Sequence, residues 1–101
     1  MSKILVCPVA FNENVKLKSA IERFLKSPAR DRADYLIVDD ASTDGTTEMI
    51  RNFAARGVKM IRHEDRSGVG AAIRTAIKYA ISHGYEVLVI MAGNDKDNPD
   101  E

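Results

Sequence analysis

The fold is decided by the stretch Tyr35-Leu36-Ile37-Val38-Asp39-Asp40-Ala41-Ser42-Thr43-Asp44-Gly45-Thr46. Its apolar run is too short for a helix and suits a strand that is buried on both faces. Asp39 and Asp40 then stand at the carboxyl end of that strand, where open α/β sheets place their ligands. Because two adjacent acids repel each other, we expect a donor-rich ligand, a cation or a helix N-terminus to offset the repulsion. The alternative interpretation is a helix cap, formed by Ser42 and Asp44, with a spare surface acid.

The composition is that of an ordinary globular domain. The 101 residues suffice for one domain with a core, and 15 basic and 15 acidic residues give a net charge of zero. This balance argues against a nucleic-acid-binding surface, and no apolar run approaches the roughly 20 residues of a membrane span. The single cysteine, Cys7, lies in an apolar run and is interpreted as a small buried hydrophobe. These features predict a cytoplasmic protein.

Two periodicities alternate along the chain. Short apolar runs predict buried strands, and apolar residues at three- and four-residue spacing predict amphipathic helices. Pro8 is expected to end the first strand, Ser27-Pro28 the first helix, and Gly57 and Gly84 the second and third helices. The predicted strands are 4–7, 35–38, 58–61 and 86–91, the first, second and fourth of them buried. The predicted inward-facing residues are Leu17, Ala20, Ile21, Phe24 and Leu25 in the first helix, Met49, Ile50, Phe53 and Ala54 in the second, and Ile73, Ala76, Ile77, Ala80 and Ile81 in the third.

The order β-α-β-α-β-α-β predicts an α/β fold, a Rossmann-like three-layer sandwich with a parallel sheet and right-handed crossovers. We expect the strand order 3-2-1-4. In a parallel sheet every strand-to-helix loop lies at the same edge. The loops 11–13, 39–44, 67–70 and 92–97 should therefore converge there, and they hold the unusual residues of the chain. This convergence predicts a ligand site.

These loops resemble the amino-terminal half of a family 2 glycosyltransferase of the GT-A fold. The resemblance rests on Ala10-Phe11-Asn12-Glu13, on the stretch 39–46, on Ser67-Gly68-Val69-Gly70-Ala71-Ala72 and on Met91-Ala92-Gly93-Asn94, and it covers essentially the whole chain. The dolichyl- or polyprenyl-phosphate sugar transferases are the most similar type. The domain implied for residues 1–101 is the nucleotide-sugar-binding half, without the acceptor half.

The resemblance implies a role for each loop. Phe11 would flank the nucleotide base, Glu13 would contact the nucleotide, Asp40 would accept a hydrogen bond from the base, and Asp39 would support the loop. The full nucleotide-binding set implied is Val9, Phe11, Glu13, Asp39, Asp40, Ser42, Gly68, Gly70 and Arg74. The two glycines would let the backbone approach the ligand closely, and Arg74 would face a phosphate. A tight turn at the glycines and a solvated helix arginine are the alternatives.

The chain departs from the family pattern at the metal motif. Where Asp-x-Asp is expected, it reads Ala92-Gly93-Asn94, and an Asp-x-Asp occurs three residues later, at Asp95 and Asp97. Enzymes of this type use Mg²⁺ or Mn²⁺, which prefer oxygen ligands. We expect the metal at Asn94, Asp95 or Asp97. Binding without a metal, with a solvated acidic tail, is the alternative.

Further departures concern single positions. The proline expected directly before Ala10 stands at Pro8, phenylalanine replaces tyrosine at Phe11, and Val69 stands where a basic residue is common. His63 and His83 are too isolated for a metal pair and are interpreted as surface residues.

The resemblance implies transfer from a UDP- or GDP-sugar to an acceptor hydroxyl or lipid phosphate. The catalytic base would lie beyond Glu101, so we expect this chain to bind nucleotide and to transfer little or no sugar. A longer parent protein would lie at the cytoplasmic membrane face. The open edge of the fourth strand predicts a homo-oligomer.

Three other interpretations compete. A flavodoxin-like receiver module would need a phosphoacceptor aspartate after its third strand, where this chain reads Met60-Ile61-Arg62-His63. A dinucleotide-binding domain would need Gly-x-Gly-x-x-Gly after the first strand, where the chain reads Pro8-Val9-Ala10-Phe11. A relative that retains the fold without transfer chemistry is the third interpretation.

Overall fold

Four strands and three α-helices alternate along the chain. The computed structural model describes residues 3–92, except for the side chain of Ala92. The elements are β1 (Ile4–Ala10), α1 (Asn14–Lys26), β2 (Ala33–Asp39), α2 (Thr46–Arg51), β3 (Val58–Arg62), α3 (Val69–Ser82) and β4 (Val87–Ala92), with short 3₁₀ segments at Pro28–Asp31 and Ala54–Arg56.

The four strands form one parallel sheet in the order β3-β2-β1-β4, which confirms the predicted topology. The register pairs Ala10 with Asp39 and Asp39 with Arg62, so β1, β2 and β3 end at the same level. Their three following loops therefore leave the sheet side by side. We call this side of the sheet the carboxyl edge.

The first strand is longer than predicted, because Pro8 lies inside β1 and does not end it. Pairing with β2 lapses at Cys7 and Pro8 and resumes at Val9, whereas pairing with β4 continues through Pro8. The missing N–H of proline thus interrupts the pairing on one side of the strand only. Burial raises the pKa of the Cys7 thiol to about 12, as expected of a small buried hydrophobe.

Each face of the sheet carries its own core. Helices α1 and α2 cover one face and α3 covers the other, as successive strand residues point to opposite sides. The buried residues of the first core are Ala10, Leu17, Ile21, Leu25, Tyr35, Ile37, Met49, Ile50, Phe53 and Val58. Those of the second are Leu5, Cys7, Leu36, Val38, Ala72, Ala76 and Ala80.

The inward face of α3 differs from the prediction. Ala72, Ala76 and Ala80 are buried against the sheet, whereas Ile77 and Ile81 are 42% and 74% exposed. Alanine has the smallest side chain that still favours a helix, so a stripe of alanines lets the helix backbone approach the sheet closely. The isoleucines follow each alanine by one residue, about 100° around the helix, and are turned away from the sheet.

The second helix is also shorter than predicted. Helix α2 ends at Arg51, and a 3₁₀ turn follows in which Ala54 is exposed, although Phe53 is buried as expected. Gly57 ends this turn with a φ of +91°, a conformation that glycine adopts without strain.

Strand β4 is the open edge that the expected strand order predicts, but the prediction that this strand is buried was wrong. Val87, Val89 and Met91 are 48%, 41% and 44% exposed, although Leu88 and Ile90 pack against the α3 core. Within residues 3–92, β4 pairs with β1 alone, so the other side of the strand has no partner strand there.

No helix within residues 3–92 is both long and apolar enough to cross a membrane.

The close packing of α3 makes its alanine stripe sensitive to volume. We expect Ala76→Leu to lower the free energy of unfolding by about 1–3 kcal/mol, because Ala76 is fully buried against the sheet. Urea titration of the purified chain measures this change. Ile77→Leu is the matched control and should have a much smaller effect, since Ile77 lies next to Ala76 but is partly exposed. Equal losses for the two variants would contradict this packing.

Candidate functional site

Two turns with positive φ angles meet at the carboxyl edge. Asn12, after β1, has a φ of +50°, and Ala41, after β2, has a φ of +60°. Asparagine adopts this conformation fairly readily, whereas alanine at positive φ is strained. The surrounding hydrogen bonds must therefore hold the Ala41 turn in place.

Those hydrogen bonds run between the first and second loops. The backbone N–H of Asn12 donates to Ser42 Oγ (3.0 Å), and the backbone N–H of Thr43 donates to Asn12 Oδ1 (2.8 Å). Ser42 is thus occupied in binding the first loop rather than in capping a helix. Gly45 is the N-cap residue of α2, and Asp44, one residue before it, contributes to the helix start because its carboxylate accepts from the backbone N–H and the hydroxyl of Thr46.

Asp39 is fully buried and supports the second loop. One carboxylate oxygen accepts from the backbone N–H of Ser42 (3.2 Å), and the other accepts from the hydroxyl of Thr47 in α2. Arg62 lies 3.9 Å from the same carboxylate and also donates to Thr47 Oγ1 and to the carbonyl oxygen of Ser42. A buried carboxylate requires such partners, and here a cation and two donors supply them.

Asp40 is held by the third loop. Its Oδ1 accepts from the backbone N–H of Ser67 (2.8 Å), and its Oδ2 accepts from the backbone N–H of Gly68 (2.8 Å). The Nδ1 atom of His63 lies 3.0 Å from Oδ1. The side chain is only 5% exposed. Asp40 therefore joins the end of β2 to the start of α3 across the carboxyl edge.

These donors also set the ionisation of Asp40. Burial is the largest single influence and opposes the charged form. The Ser67 and Gly68 N–H groups and the His63 imidazole together outweigh it, so the pKa of Asp40 lies below its usual value of 3.8. Asp40 is thus a carboxylate at neutral pH.

His63 is not the surface residue that was predicted. Its side chain is 16% exposed, and its Nε2 atom lies 2.9 Å from the hydroxyl of Thr75 in α3. The carboxylate of Asp40 can only accept, so Nδ1 carries a proton. The Thr75 hydroxyl has one proton, placed for either the Ala71 carbonyl oxygen at 3.1 Å or His63 Nε2. Both the neutral and the charged imidazole therefore fit this arrangement.

Arg66 is the other residue that the sequence interpretation missed. The Cζ atom of its guanidinium lies 3.9 Å from the centroid of the Phe11 ring. Cation–π contacts of this kind favour a guanidinium over an aromatic face. The third loop thus reaches the first loop through Arg66 and the second loop through Asp40.

The remaining predicted residues lie at the same edge in different surroundings. Glu13 is half-buried and precedes α1, and its carbonyl oxygen accepts from Leu17 N–H. Val9 packs against the α3 core, so its side chain is part of the packing of the domain. Gly70 and Arg74 are exposed in α3, with an Arg74 guanidinium nitrogen 3.7 Å from the position that a Gly70 Cβ would occupy.

The predicted metal residues Asn94, Asp95 and Asp97 lie outside the described residues. Within residues 3–92, no group of three His, Cys, Asp or Glu side chains is placed to hold a metal ion. Val9 pairs with Ala92, so β4 ends at the carboxyl edge. The oxygen donors of those three side chains suit Mg²⁺ or Mn²⁺ in their chemistry.

A separate shallow cavity of about 160 Å³ opens at the opposite edge of the sheet, beside the beginnings of β2 and β3. Its lining includes Phe24, Tyr35 and Val58, together with Arg30 and Arg56. None of the predicted site residues lines it.

The sequence matches one family over nearly its whole length. Residues 6–100 match the sequence model described as Glycosyl transferase family 2. An uncharacterized protein of Methanocaldococcus jannaschii is 32% identical over 94 residues, which cover 89% of this chain and 39% of that protein. The undecaprenyl-phosphate mannosyltransferase of Micrococcus luteus is 29% identical over 101 residues, which cover 98% of this chain and 41% of that enzyme.

A solved structure shares the fold. The mannosyltransferase PcManGT of Pyrobaculum calidifontis, in complex with GDP-Man and Mn²⁺, superposes with a TM-score of 0.66 at 24% identity. The match covers 76% of this chain and 24% of that protein. The present chain spans about two fifths of the length of these two relatives from Methanocaldococcus jannaschii and Micrococcus luteus.

The low pKa of Asp40 predicts how stability depends on pH. A carboxyl group with a lower pKa in the folded than in the unfolded state stabilises the fold above the unfolded pKa, about 3.9. That contribution disappears as the pH falls through the lower, folded pKa. We expect Asp40→Asn to lower the free energy of unfolding at pH 7 by about 1–3 kcal/mol and to flatten the further loss below pH 4.

Urea titrations between pH 7 and pH 2.5 measure both effects. Asp31→Asn is the matched control, because Asp31 is exposed and lies at the opposite edge of the sheet. If Asp40→Asn retained the acid dependence of the wild-type chain, the hydrogen bonds to Ser67 and Gly68 would not stabilise the carboxylate.

Proposed function

The chain belongs to glycosyl transferase family 2, and on that premise we propose that it binds a nucleoside-diphosphate sugar at the carboxyl edge of its sheet. The observation that carries the proposal is the joining of three strand-to-helix loops there, by Asp40 to Ser67 and Gly68 and by Asn12 to Thr43. Parallel α/β sheets bind ligands at this edge.

We propose GDP-mannose as the donor and a lipid phosphate as the acceptor. The solved neighbour is a mannosyltransferase in complex with GDP-Man and Mn²⁺, and one relative is an undecaprenyl-phosphate mannosyltransferase. Both proteins are mannosyltransferases, which favours mannose as the transferred sugar. A UDP-sugar remains the competing donor, and the binding experiment below distinguishes the two.

The residues of this chain would position the nucleotide and would not themselves break its bond to the sugar. Gly70 lacks a Cβ and is exposed at the start of α3, so the backbone there can approach the ligand. Arg74 lies one turn further along and provides a positive charge for a phosphate. Phe11 offers an aromatic surface in the first loop, with the Arg66 guanidinium over its ring.

A metal ion would be held by Asn94, Asp95 or Asp97. When bound, Mg²⁺ or Mn²⁺ neutralises the negative charge of the departing diphosphate. The carboxylates of Asp39 and Asp40 are engaged with protein donors, so they are poor candidates for this role.

We further propose that this chain alone transfers little or no sugar. An inverting transferase needs a general base beside the acceptor hydroxyl or phosphate. The chain spans about two fifths of the length of its relatives, and the proposal assigns the base and the acceptor site to the part of such proteins that lies outside this region. Measurable turnover by the purified chain would contradict it.

Nucleotide binding is tested by thermal unfolding with GDP-mannose, GDP, UDP, CDP or a dinucleotide, each with and without Mn²⁺. A ligand at 100 times its dissociation constant adds about 2.7 kcal/mol, which corresponds to roughly 10 °C for a domain of this size. We expect the largest shift with GDP-mannose and Mn²⁺. Lack of a shift with every nucleotide, at millimolar concentration, would contradict the proposed site.

A glycine variant shows whether the ligand lies at the proposed edge. We expect Gly70→Val to weaken nucleotide binding while the free chain keeps nearly its wild-type melting temperature. A Cβ at position 70 meets only the flexible Arg74 side chain, so the fold has room for it. Gly57→Val is unsuitable as a control because of the positive φ at Gly57; Val15→Ala, on the exposed surface of α1, serves instead.

We also propose that two copies of the chain pair through β4. An exposed parallel-sheet edge presents unpaired N–H and C=O groups, and the strand Val87–Ala92 carries no charged residue that would oppose pairing with its own copy. In an antiparallel two-fold pair centred on Val89, Val87 faces Met91 of the other copy. The exposed apolar residues of both copies then share one face.

Sedimentation measures this association directly. We expect the wild-type chain to be a dimer at tens of micromolar and Val89→Lys to be a monomer, because like charges would meet at the two-fold axis. Val15→Lys, which makes the same change on α1 where Val15 is 82% exposed, should remain a dimer. A monomeric wild-type chain would contradict the proposal.

A further inference from the structure

The segment between β3 and α3 is fixed at both of its ends. At one end His63 lies between Asp40 and Thr75, and at the other end Ser67 and Gly68 donate their N–H groups to Asp40. Only Glu64, Asp65 and Arg66 lie between these anchors. The next residue, Ser67, is hydrogen-bonded to the buried Asp40 carboxylate, and this bond sets the position of the Arg66 backbone.

The side chain of Arg66 uses this fixed position to reach the first loop. Its guanidinium lies over the Phe11 ring at 3.9 Å, and no carboxylate of residues 3–92 forms a salt bridge with it. One face of the guanidinium is therefore occupied by an aromatic ring. Its opposite face and its N–H groups remain free of a carboxylate partner within that part of the chain.

A guanidinium that is supported on one side and has no carboxylate partner can bind a nucleobase in two ways. Its planar outer face can stack on a nucleobase, since arginine stacks on flat aromatic systems. Its N–H groups match the paired O6 and N7 acceptors of guanine, which uracil and cytosine do not present in that arrangement. A lone lysine ammonium would supply neither the plane nor the paired donors.

We propose that Arg66 is a specificity-determining residue that binds the guanine base of the nucleotide. Arg66 uses its paired N–H donors, which meet O6 and N7 in the plane of the base, while Phe11 supports the guanidinium from one side and Asp40 fixes the segment through Ser67 and Gly68. This inference rests on the proposed nucleotide-binding function and names the base that the same site selects. Asp40 accepts from Ser67, Gly68 and His63 and its side chain is only 5% exposed, so the exposed Arg66 is the more accessible of the two residues at this edge.

Calorimetric titration of the chain with GDP, 7-deaza-GDP and UDP tests the inference. The deaza analogue lacks the N7 acceptor but retains the diphosphate and the stacking surface. We expect the wild-type chain to prefer GDP to UDP by about tenfold or more, and to bind 7-deaza-GDP several-fold more weakly than GDP. In Arg66→Ala, both preferences should disappear. Arg66→Lys should not restore them, because lysine lacks the paired donors.

The control is Arg32→Ala, which removes the same charge from an exposed position at the opposite edge of the sheet. It should leave both preferences at their wild-type values. Because Arg66 is exposed, its variants are expected to fold, and circular dichroism of each free variant checks this.

The other outcomes separate the inference from the proposed function. If Arg66→Ala weakened GDP, 7-deaza-GDP and UDP by one common factor, Arg66 would bind the diphosphate, and base recognition would be overturned. If the wild-type chain bound GDP and Arg66→Ala bound it with unchanged preferences, the inference would be wrong while the proposed function stood. If the wild-type chain bound no nucleotide, the proposed function itself would be wrong, and the inference with it.

Discussion

The carboxyl edge depends on one buried carboxylate. Asp40 accepts hydrogen bonds from two successive backbone N–H groups, those of Ser67 and Gly68, and pairs with the imidazole of His63. Hydrogen bonds to a charged acceptor are roughly twice as strong as neutral ones. Without this carboxylate, the hydrogen bonds that join the end of β2 to Ser67 and Gly68, just before α3, would be absent. The loop that carries Arg66 would then lose the hydrogen bonds that fix its end next to α3.

The adjacent acids do not repel each other as strongly as their sequence positions suggest. Successive strand residues point to opposite faces of a sheet, so Asp39 lies on the α2 side, with Thr47, and Asp40 lies on the α3 side. Arg62, the last residue of β3, and His63, the residue after it, alternate in the same way. Arg62 lies 3.9 Å from the Asp39 carboxylate, and His63 lies 3.0 Å from that of Asp40. Each of the two carboxylates thus has its own basic partner on its own face of the sheet.

Much of the fold could be predicted from the sequence, because the alternation of period-two and period-3.6 patterns requires a parallel sheet. The alternation alone allows several strand orders, and the expected order 3-2-1-4 is the one observed. The errors have a common origin in tertiary packing. Apolar character alone could not show that α3 buries alanines and exposes Ile81, or that Val87, Val89 and Met91 of β4 are partly exposed. For the site, convergence of the first three loops is confirmed. His63 was missed because an isolated histidine gives no sign of a metal pair, although it can still bind a carboxylate. Its place directly after β3, in register with Asp40, was the available signal.

The two acids at the end of β2 also show what a specific motif does and does not establish. The Asp-Asp string was the most distinctive feature of the sequence, and a direct contact with the ligand was the natural inference from it. In the structure, however, both carboxylates are buried and hydrogen-bonded to the protein. A motif can thus be characteristic of a family because it builds the loops of a site. The hydrogen bonds of Asp40 also fix the backbone next to Arg66, so the motif sets where this exposed residue stands without setting which residue it is.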